Sequence, residues 1–130
     1  MNDIKLLELA EEARKKSYCP YSNFSVGAAL LTQSGKVYLG CNIENSAYGE
    51  TVCAERTAFL KAVSEGEKEF LKIAVVGGRV NEKELEACAP CGSCRQVMAE
   101  FCREDFEIIF SENNKIKLKD LLPLSFSLKE

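Results

Sequence analysis

The chain of 130 residues contains no histidine. A catalytic imidazole is therefore excluded, and any metal site must be built from sulfur and oxygen. No dense run of lysine or arginine occurs either. The basic residues stand singly or in short pairs such as Lys15-Lys16, the formal net charge is −3 and the pI is near 5.2. Nucleic-acid binders replace phosphate counterions with a basic patch or stripe, so a polynucleotide partner is not expected. No apolar stretch is long enough to span a membrane. Met1-Asn2-Asp3 opens directly into an amphipathic pattern rather than a secretory leader. Repeats, low-complexity tracts and linkers are also missing, and 46% hydrophobic content over this length suits one domain covering 1–130.

What the chain has in quantity is cysteine, seven in all. Without secretion, that many thiols point to a reducing, cytoplasmic setting in which they bind metal, catalyse or pack. An odd number cannot pair completely within one chain.

The hydrophobic pattern alternates between two periods. Asp3, then Ile4, Leu6, Leu7, Leu9, Ala10 and Ala13, has helical spacing with Lys15 and Lys16 at its end. Residues 18–23 read as a loop, and 25–32 with 36–43 as a hairpin around Gln33-Ser34-Gly35. A polar loop over 44–51 leads to a helix over 53–64, stopped by Gly66. A buried strand is expected over 71–76, ending at Gly77-Gly78, then a helix from about Cys91 and a strand over 106–110. Asn113-Asn114 forms a turn before a short strand over 115–118, and an apolar tail occupies 121–128. Strands alternating with helices imply an α/β domain, a central sheet covered by helices.

Cys53-Ala54-Glu55 and Pro90-Cys91-Gly92-Ser93-Cys94 form the chemically richest pair of segments. Cys91 and Cys94, three apart, face one side of a helical turn, and Pro90 favours a helix start. Cys53 supplies a third thiolate from another element. Zinc with three protein ligands keeps a fourth position open, which is the catalytic rather than the structural arrangement. Three thiolates leave the site formally anionic. Both ligand groups are expected at helix N-termini, whose partial positive charge stabilises thiolates, and Arg56 could donate to the sulfurs. Positions two apart do not share a helix face. Glu55 therefore reaches the same point as Cys53 only if Cys53 lies at the helix end. Two other readings stay open on the residues alone. Cys88 could complete a closed four-cysteine zinc site, and Cys88, Cys91 and Cys94 with Cys102 could hold an iron–sulfur cluster. Pro90 separates Cys88 from the helix that carries Cys91 and Cys94, and Cys19, Cys41, Cys88 and Cys102 read more simply as packing or incidental thiols.

At these residues the chain resembles the zinc nucleoside deaminases, most closely the small homotetrameric cytidine deaminases with a three-cysteine site. The similarity extends to Asn42-Ile43-Glu44-Asn45, Cys53-Ala54-Glu55-Arg56-Thr57-Ala58, Pro90-Cys91-Gly92-Ser93-Cys94-Arg95-Gln96, the segment 19–28, and Leu121-Leu122-Pro123 with Phe126. It implies a three-layer α-β-α sandwich with a central mixed sheet. It also implies zinc-dependent hydrolytic deamination of cytidine and deoxycytidine to the uracil nucleosides and ammonia, in pyrimidine salvage. One zinc per chain would be held by Cys53, Cys91 and Cys94, with Glu55 carrying protons and Arg56 supporting the ligands. The resemblance further assigns the base to Phe24 and the Ala54 backbone, and the ribose to Asn42 and Glu44. Tyr48 and Phe126 would reach a neighbouring subunit's active site in a homotetramer. Ser46-Ala47 reverses the order of many relatives, and acidic Glu50 stands where apolar residues are common. An aminonucleoside-antibiotic deaminase of the blasticidin S type is the nearest rival, and a non-catalytic structural zinc module is the rival from another class.

Overall fold

Asn2 opens the first helix by accepting a 2.8 Å hydrogen bond from the Lys5 amide to its side-chain oxygen. Helix α1 (Asp3–Arg14) turns Leu6, Ala10 and Ala13 inward. The computed structural model describes residues 1–86 and 88–129. Strands β1 (Phe24–Thr32) and β2 (Val37–Cys41) follow, joined by a turn in which Gly35 takes a φ of +94°. Then come α2 (Ala54–Ser64), β3 (Phe70–Arg79), α3 (Gly92–Phe101), β4 (Glu107–Ser111), β5 (Asn114–Lys117) and the four-residue α4 (Leu118–Leu121). Gly66, at φ +97°, follows the end of α2 as its sequence position suggested.

Among the described residues the strands form one sheet in the order β2-β1-β3-β4-β5. Only β3 and β4 run parallel, and α3 makes the crossover that such a pair requires. The sheet is therefore mixed, and each face has its own apolar layer. On one side α1 covers Ala29, Leu31, Ala74, Val76 and Ile109. The opposite face carries Leu30, Ile73, Val75 and Ile108, packed with Phe59 of α2 and Met98 of α3. This is the expected three-layer sandwich. Phe59 is fully buried and meets Phe70 edge-on at 5.1 Å between centroids, with Phe101 and Phe106 close by. Removing a ring from such a centre costs about 3–5 kcal/mol.

Several boundaries differ from expectation: Asn114, expected in a turn, opens β5, and Leu118, expected to end that strand, begins α4. β3 runs on through Gly77 and Gly78, which pair with Val26 and Ser25 of β1. These glycines admit neighbours rather than end the strand. A Cβ on Gly77 would stand 2.9 Å from the Phe24 ring and 3.1 Å from the Cys88 sulfur, and one on Gly78 would stand 2.8 Å from the Arg14 guanidinium. β2 is shorter than expected, because Ile43 leaves the ladder to bridge Tyr18 and Val52. The apolar tail splits in two. Leu121 and Leu122 pack on the core, whereas Leu124, Phe126 and Leu128 face outward.

Candidate metal and catalytic site

The sheet sets the start of α2 through a backbone contact. Gly40 of β2 lies so close that a Cβ there would meet the Ala54 carbonyl oxygen at 2.3 Å and the Ala58 nitrogen at 2.7 Å. Thr57 adds a second tie, donating to the Cys41 carbonyl at 3.1 Å and to the Cys53 carbonyl at 3.2 Å. Cys53 becomes the N-cap of α2 in extended backbone, so Ala54 and Glu55 are its first two helical residues. This meets the condition that the Cys53–Glu55 spacing imposed. Cys91 is likewise the N-cap of α3, and its sulfur accepts from the Cys94 amide at 3.4 Å.

The three sulfurs converge. Cys53 Sγ is 3.6 Å from Cys91 Sγ, Cys91 Sγ is 3.4 Å from Cys94 Sγ, and all three lie within 4.8 Å of one another. Thiolates bound to zinc at about 2.3 Å in a tetrahedron stand roughly 3.8 Å apart, and the two separations made by Cys91 are within a few tenths of an ångström of that. The donor set suits the ion as well: sulfur is a preferred zinc ligand and three thiolates leave a fourth position. Cys94 is buried and Cys91 exposed, so the group runs from the interior to the surface. Neither Cys88 nor Cys102 belongs to it, which removes the four-cysteine arrangement and the cluster that would use Cys102. Burial pushes the Cys88 thiol up to about 11 and holds Cys102 well above the usual thiol range. Both therefore remain protonated and inert.

Electrostatics distinguish the members. Hydrogen bonding from Cys94, then from Cys91 and Arg56, lowers the Cys53 thiol well below its usual range. Cys94 is displaced the opposite way by the same bond and by burial. Arg56 donates to the Thr51 carbonyl at 3.1 Å and reaches Cys53 Sγ at 3.9 Å, as its position beside Glu55 suggested. Its buried Nε has no partner. Glu55 is only 4% exposed, and burial, reinforced by the charge on Cys53, pushes its carboxyl up to about 7. A carboxyl poised at neutral pH beside a metal seat can take a proton and return it.

A second cluster lies on the loops around β1. Asn23, at φ +57°, turns the chain so that Phe24 enters the strand. The Phe24 amide donates to Ser22 Oγ at 3.1 Å, and its carbonyl accepts from Asn42 Nδ2 at 2.9 Å. Asn42 Oδ1 accepts from the Val26 amide at 2.9 Å. Glu44 accepts from the Tyr21 and Ser22 amides at 3.0 and 3.1 Å and from the Ser22 hydroxyl. Burial opposes the ionised form of Glu44, but these bonds outweigh it and hold the carboxyl below its ordinary value. Asn42 and Glu44 are thus already engaged with their own chain, each with acceptor or donor capacity left over. Tyr21 meets Tyr48 edge-on at 6.4 Å. Tyr21, Ser22, Glu44, Tyr48 and Thr51 line a cavity of about 390 Å³, whose lining does not include Phe126. Ser22, Thr57 and Arg95 lie within the quoted motifs, but sequence reasoning assigned none of them a role. A hydroxyl or guanidinium whose partners lie on other elements carries no local signal.

The family model for the cytidine and deoxycytidylate deaminase zinc-binding region matches residues 1–110. The chain belongs to this deaminase family. Relatives extend the match over the whole chain. A cytidine deaminase of Sporosarcina psychrophila is 45% identical over 134 aligned residues, covering 100% of this chain and 95% of that protein. The crystal structure of cytidine deaminase from Burkholderia pseudomallei superposes with a TM-score of 0.86 at 46% identity, covering 97% of this chain and 100% of the other. A blasticidin-S deaminase of Bacillus cereus is more distant, 31% identical over 130 residues, with 96% and 92% covered. The deaminase family's description as a zinc-binding region agrees with the sulfur group formed at the two helix starts.

Proposed function

We propose that the protein is a zinc-dependent cytidine deaminase converting cytidine and deoxycytidine to uridine and deoxyuridine with release of ammonia. One observation carries this reading: a buried carboxyl, Glu55, one residue inside the helix whose N-cap joins two other thiols in a zinc-sized group. The cytidine deaminases of similar sequence and fold support the choice of substrate.

Cys53, Cys91 and Cys94 would hold the metal, which when bound supplies the Lewis acidity that makes water nucleophilic near neutral pH. Glu55 accepts the proton that water gives up, passes it to ring N3 and delivers one to the departing amine. A group near pKa 7 suits both directions of transfer. Ala54, the first helical residue, has an amide that no helical carbonyl can reach, free to donate to the pyrimidine carbonyl. The Phe24 ring faces the base, and Asn42 and Glu44 take the sugar hydroxyls with their remaining hydrogen-bonding capacity. Tyr48 and Phe126, 80% and 67% exposed, reach toward a neighbouring copy's site in a homotetramer. The setting is cytoplasmic pyrimidine salvage by one catalytic domain over 1–130. Among the described residues no helix is long and apolar enough to cross a membrane.

A panel of cytidine, deoxycytidine, deoxycytidylate and blasticidin S, followed by ultraviolet absorbance with zinc measured on the same sample, tests this reading. We expect about one zinc per chain and turnover of the first two nucleosides. Turnover confined to blasticidin S would favour the antibiotic deaminase. A folded, zinc-replete protein inert on the whole panel would sink the enzyme reading and leave a structural zinc module.

A further inference from the structure

Arg95, in the first turn and a half of α3, has its guanidinium divided between two distant carbonyls. Nε donates to the Pro90 carbonyl at 2.9 Å, and Nη1 donates to the Leu121 carbonyl at 2.9 Å. Pro90 is among the fully buried residues and is bonded directly to Cys91. Leu121 is the last residue of α4, so its carbonyl is one that no amide of that helix can satisfy. A guanidinium is planar and rigid, which fixes the two carbonyls relative to each other in a way a single point donor cannot. The next residue continues the attachment: Gln96 Nε2 donates to the Phe126 carbonyl at 3.0 Å. Farther along, Lys129 Nζ donates to the Glu100 carbonyl. Among the described residues, an ion pair between Lys129 and Glu100 at 3.8 Å adds to these ties beyond Leu122. Leu124, Phe126 and Leu128 are exposed, and Leu124 sits at φ +54°, where a branched side chain is disfavoured.

We propose that Arg95 is a positioning residue that couples docking of the C-terminal tail along α3 to the geometry of the sulfur group at Cys91 and Cys94. It touches none of the sulfurs, and acts through the Pro90–Cys91 peptide. Coupling of this kind is reciprocal. Metal binding, by fixing Cys91, tightens the tail, and loss of the Arg95 bridge loosens both. The inference rests on the reading of Cys91 as a metal ligand.

The test uses the full-length chain with and without zinc, comparing wild type with Arg95→Ala and Arg95→Lys. Zinc affinity is read by chelator competition, ligand geometry by the absorption spectrum of the cobalt-substituted protein, and tail docking by hydrogen exchange over residues 122–129. We expect Arg95→Ala to bind zinc about tenfold more weakly, in line with other supports of metal ligands. Its cobalt spectrum should be altered. Zinc should slow tail exchange in wild type and not in the variant. Arg95→Lys, with its charge but no fork, should fall between, and it carries the same measurements if the alanine variant does not fold. Zinc affinity within twofold of wild type with an unchanged cobalt spectrum would overturn the proposal, as would equal zinc protection of the tail in variant and wild type. A wild-type chain that binds no zinc would instead overturn the functional reading itself, and this proposal with it.

Discussion

Gly40 and Ala54 touch backbone to backbone, at a distance where a single added Cβ would come within 2.3 Å of the Ala54 carbonyl oxygen. The helix start that carries Cys53 and Glu55 thus takes its height above the sheet from a missing side chain. Gly40→Ala has no flexible neighbour to push aside, since both nearest atoms are backbone. We expect a loss of about 1–3 kcal/mol or more, typical of overpacking. Zinc should also be bound more weakly, because Cys53 moves with the helix. Thermal unfolding and zinc content, measured together, check both. Normal zinc binding at reduced stability would separate the fold from the site.

Glu55→Gln keeps the shape and the sulfur group but removes the proposed proton carrier. We expect zinc to stay at one per chain while turnover falls at least about 10²-fold, the usual share of a general acid–base group. Stability should respond in the opposite direction. The folded carboxyl titrates near about 7, against 4.5 ordinarily, so the folded state holds this proton more tightly than the unfolded chain does. In the metal-free protein the resulting penalty is absent below about pH 4.5, grows as pH rises to about 7, and is constant beyond, on the order of 3 kcal/mol. Urea melts of metal-free wild type and Glu55→Gln should therefore converge in acid and diverge toward pH 8, with the variant more stable. Parallel curves would mean that Glu55 is not buried as described.

Cys88 and Cys94 make a paired comparison. Cys94→Ala removes a member of the sulfur group and should abolish stoichiometric zinc, whereas Cys88→Ala should leave it near one per chain. Zinc analysis after dialysis decides. Loss of metal from the Cys88 variant would restore the closed four-cysteine site.

Ser22 joins two of the proposed substrate contacts, donating to Glu44 and accepting from the Phe24 amide. Ser22→Ala leaves both partners in place but unlinked. We expect KM for cytidine to rise about fivefold, the equivalent of roughly 1 kcal/mol and so part of the worth of the lost bond. With kcat within twofold, the bond would serve binding rather than chemistry. A fall in kcat at constant KM would contradict that role.

The convergence of Cys53, Cys91 and Cys94 was legible because few residue types can hold zinc, and with no histidine present the alternatives were fewer still. Hairpin β1–β2 and the stop at Gly66 were legible because turns and helix ends obey local rules. Gly77-Gly78 misled for the converse reason. Glycine ordinarily ends a strand, but here it clears space for Phe24, Cys88 and Arg14, residues far away in the chain. The parallel pairing of β3 with β4 left no trace in either strand's pattern. Nor did the bonds that tie Asn42 and Glu44 to 21–26, since their partners are backbone groups that every residue possesses.

Cys91 stands 3.4 Å from Cys94 and 3.6 Å from Cys53, with Cys53 already inclined to lose its proton. A disulfide bond is about 2.05 Å long, so a small closing movement would join either pair. The bare site is consequently an oxidation trap, and the metal doubles as the sulfurs' protecting group. Protein stripped of zinc and left in air should lose titratable thiols and the capacity to be reloaded, whereas zinc-loaded protein should keep both. Handling history would then govern specific activity as strongly as any substitution in the chain.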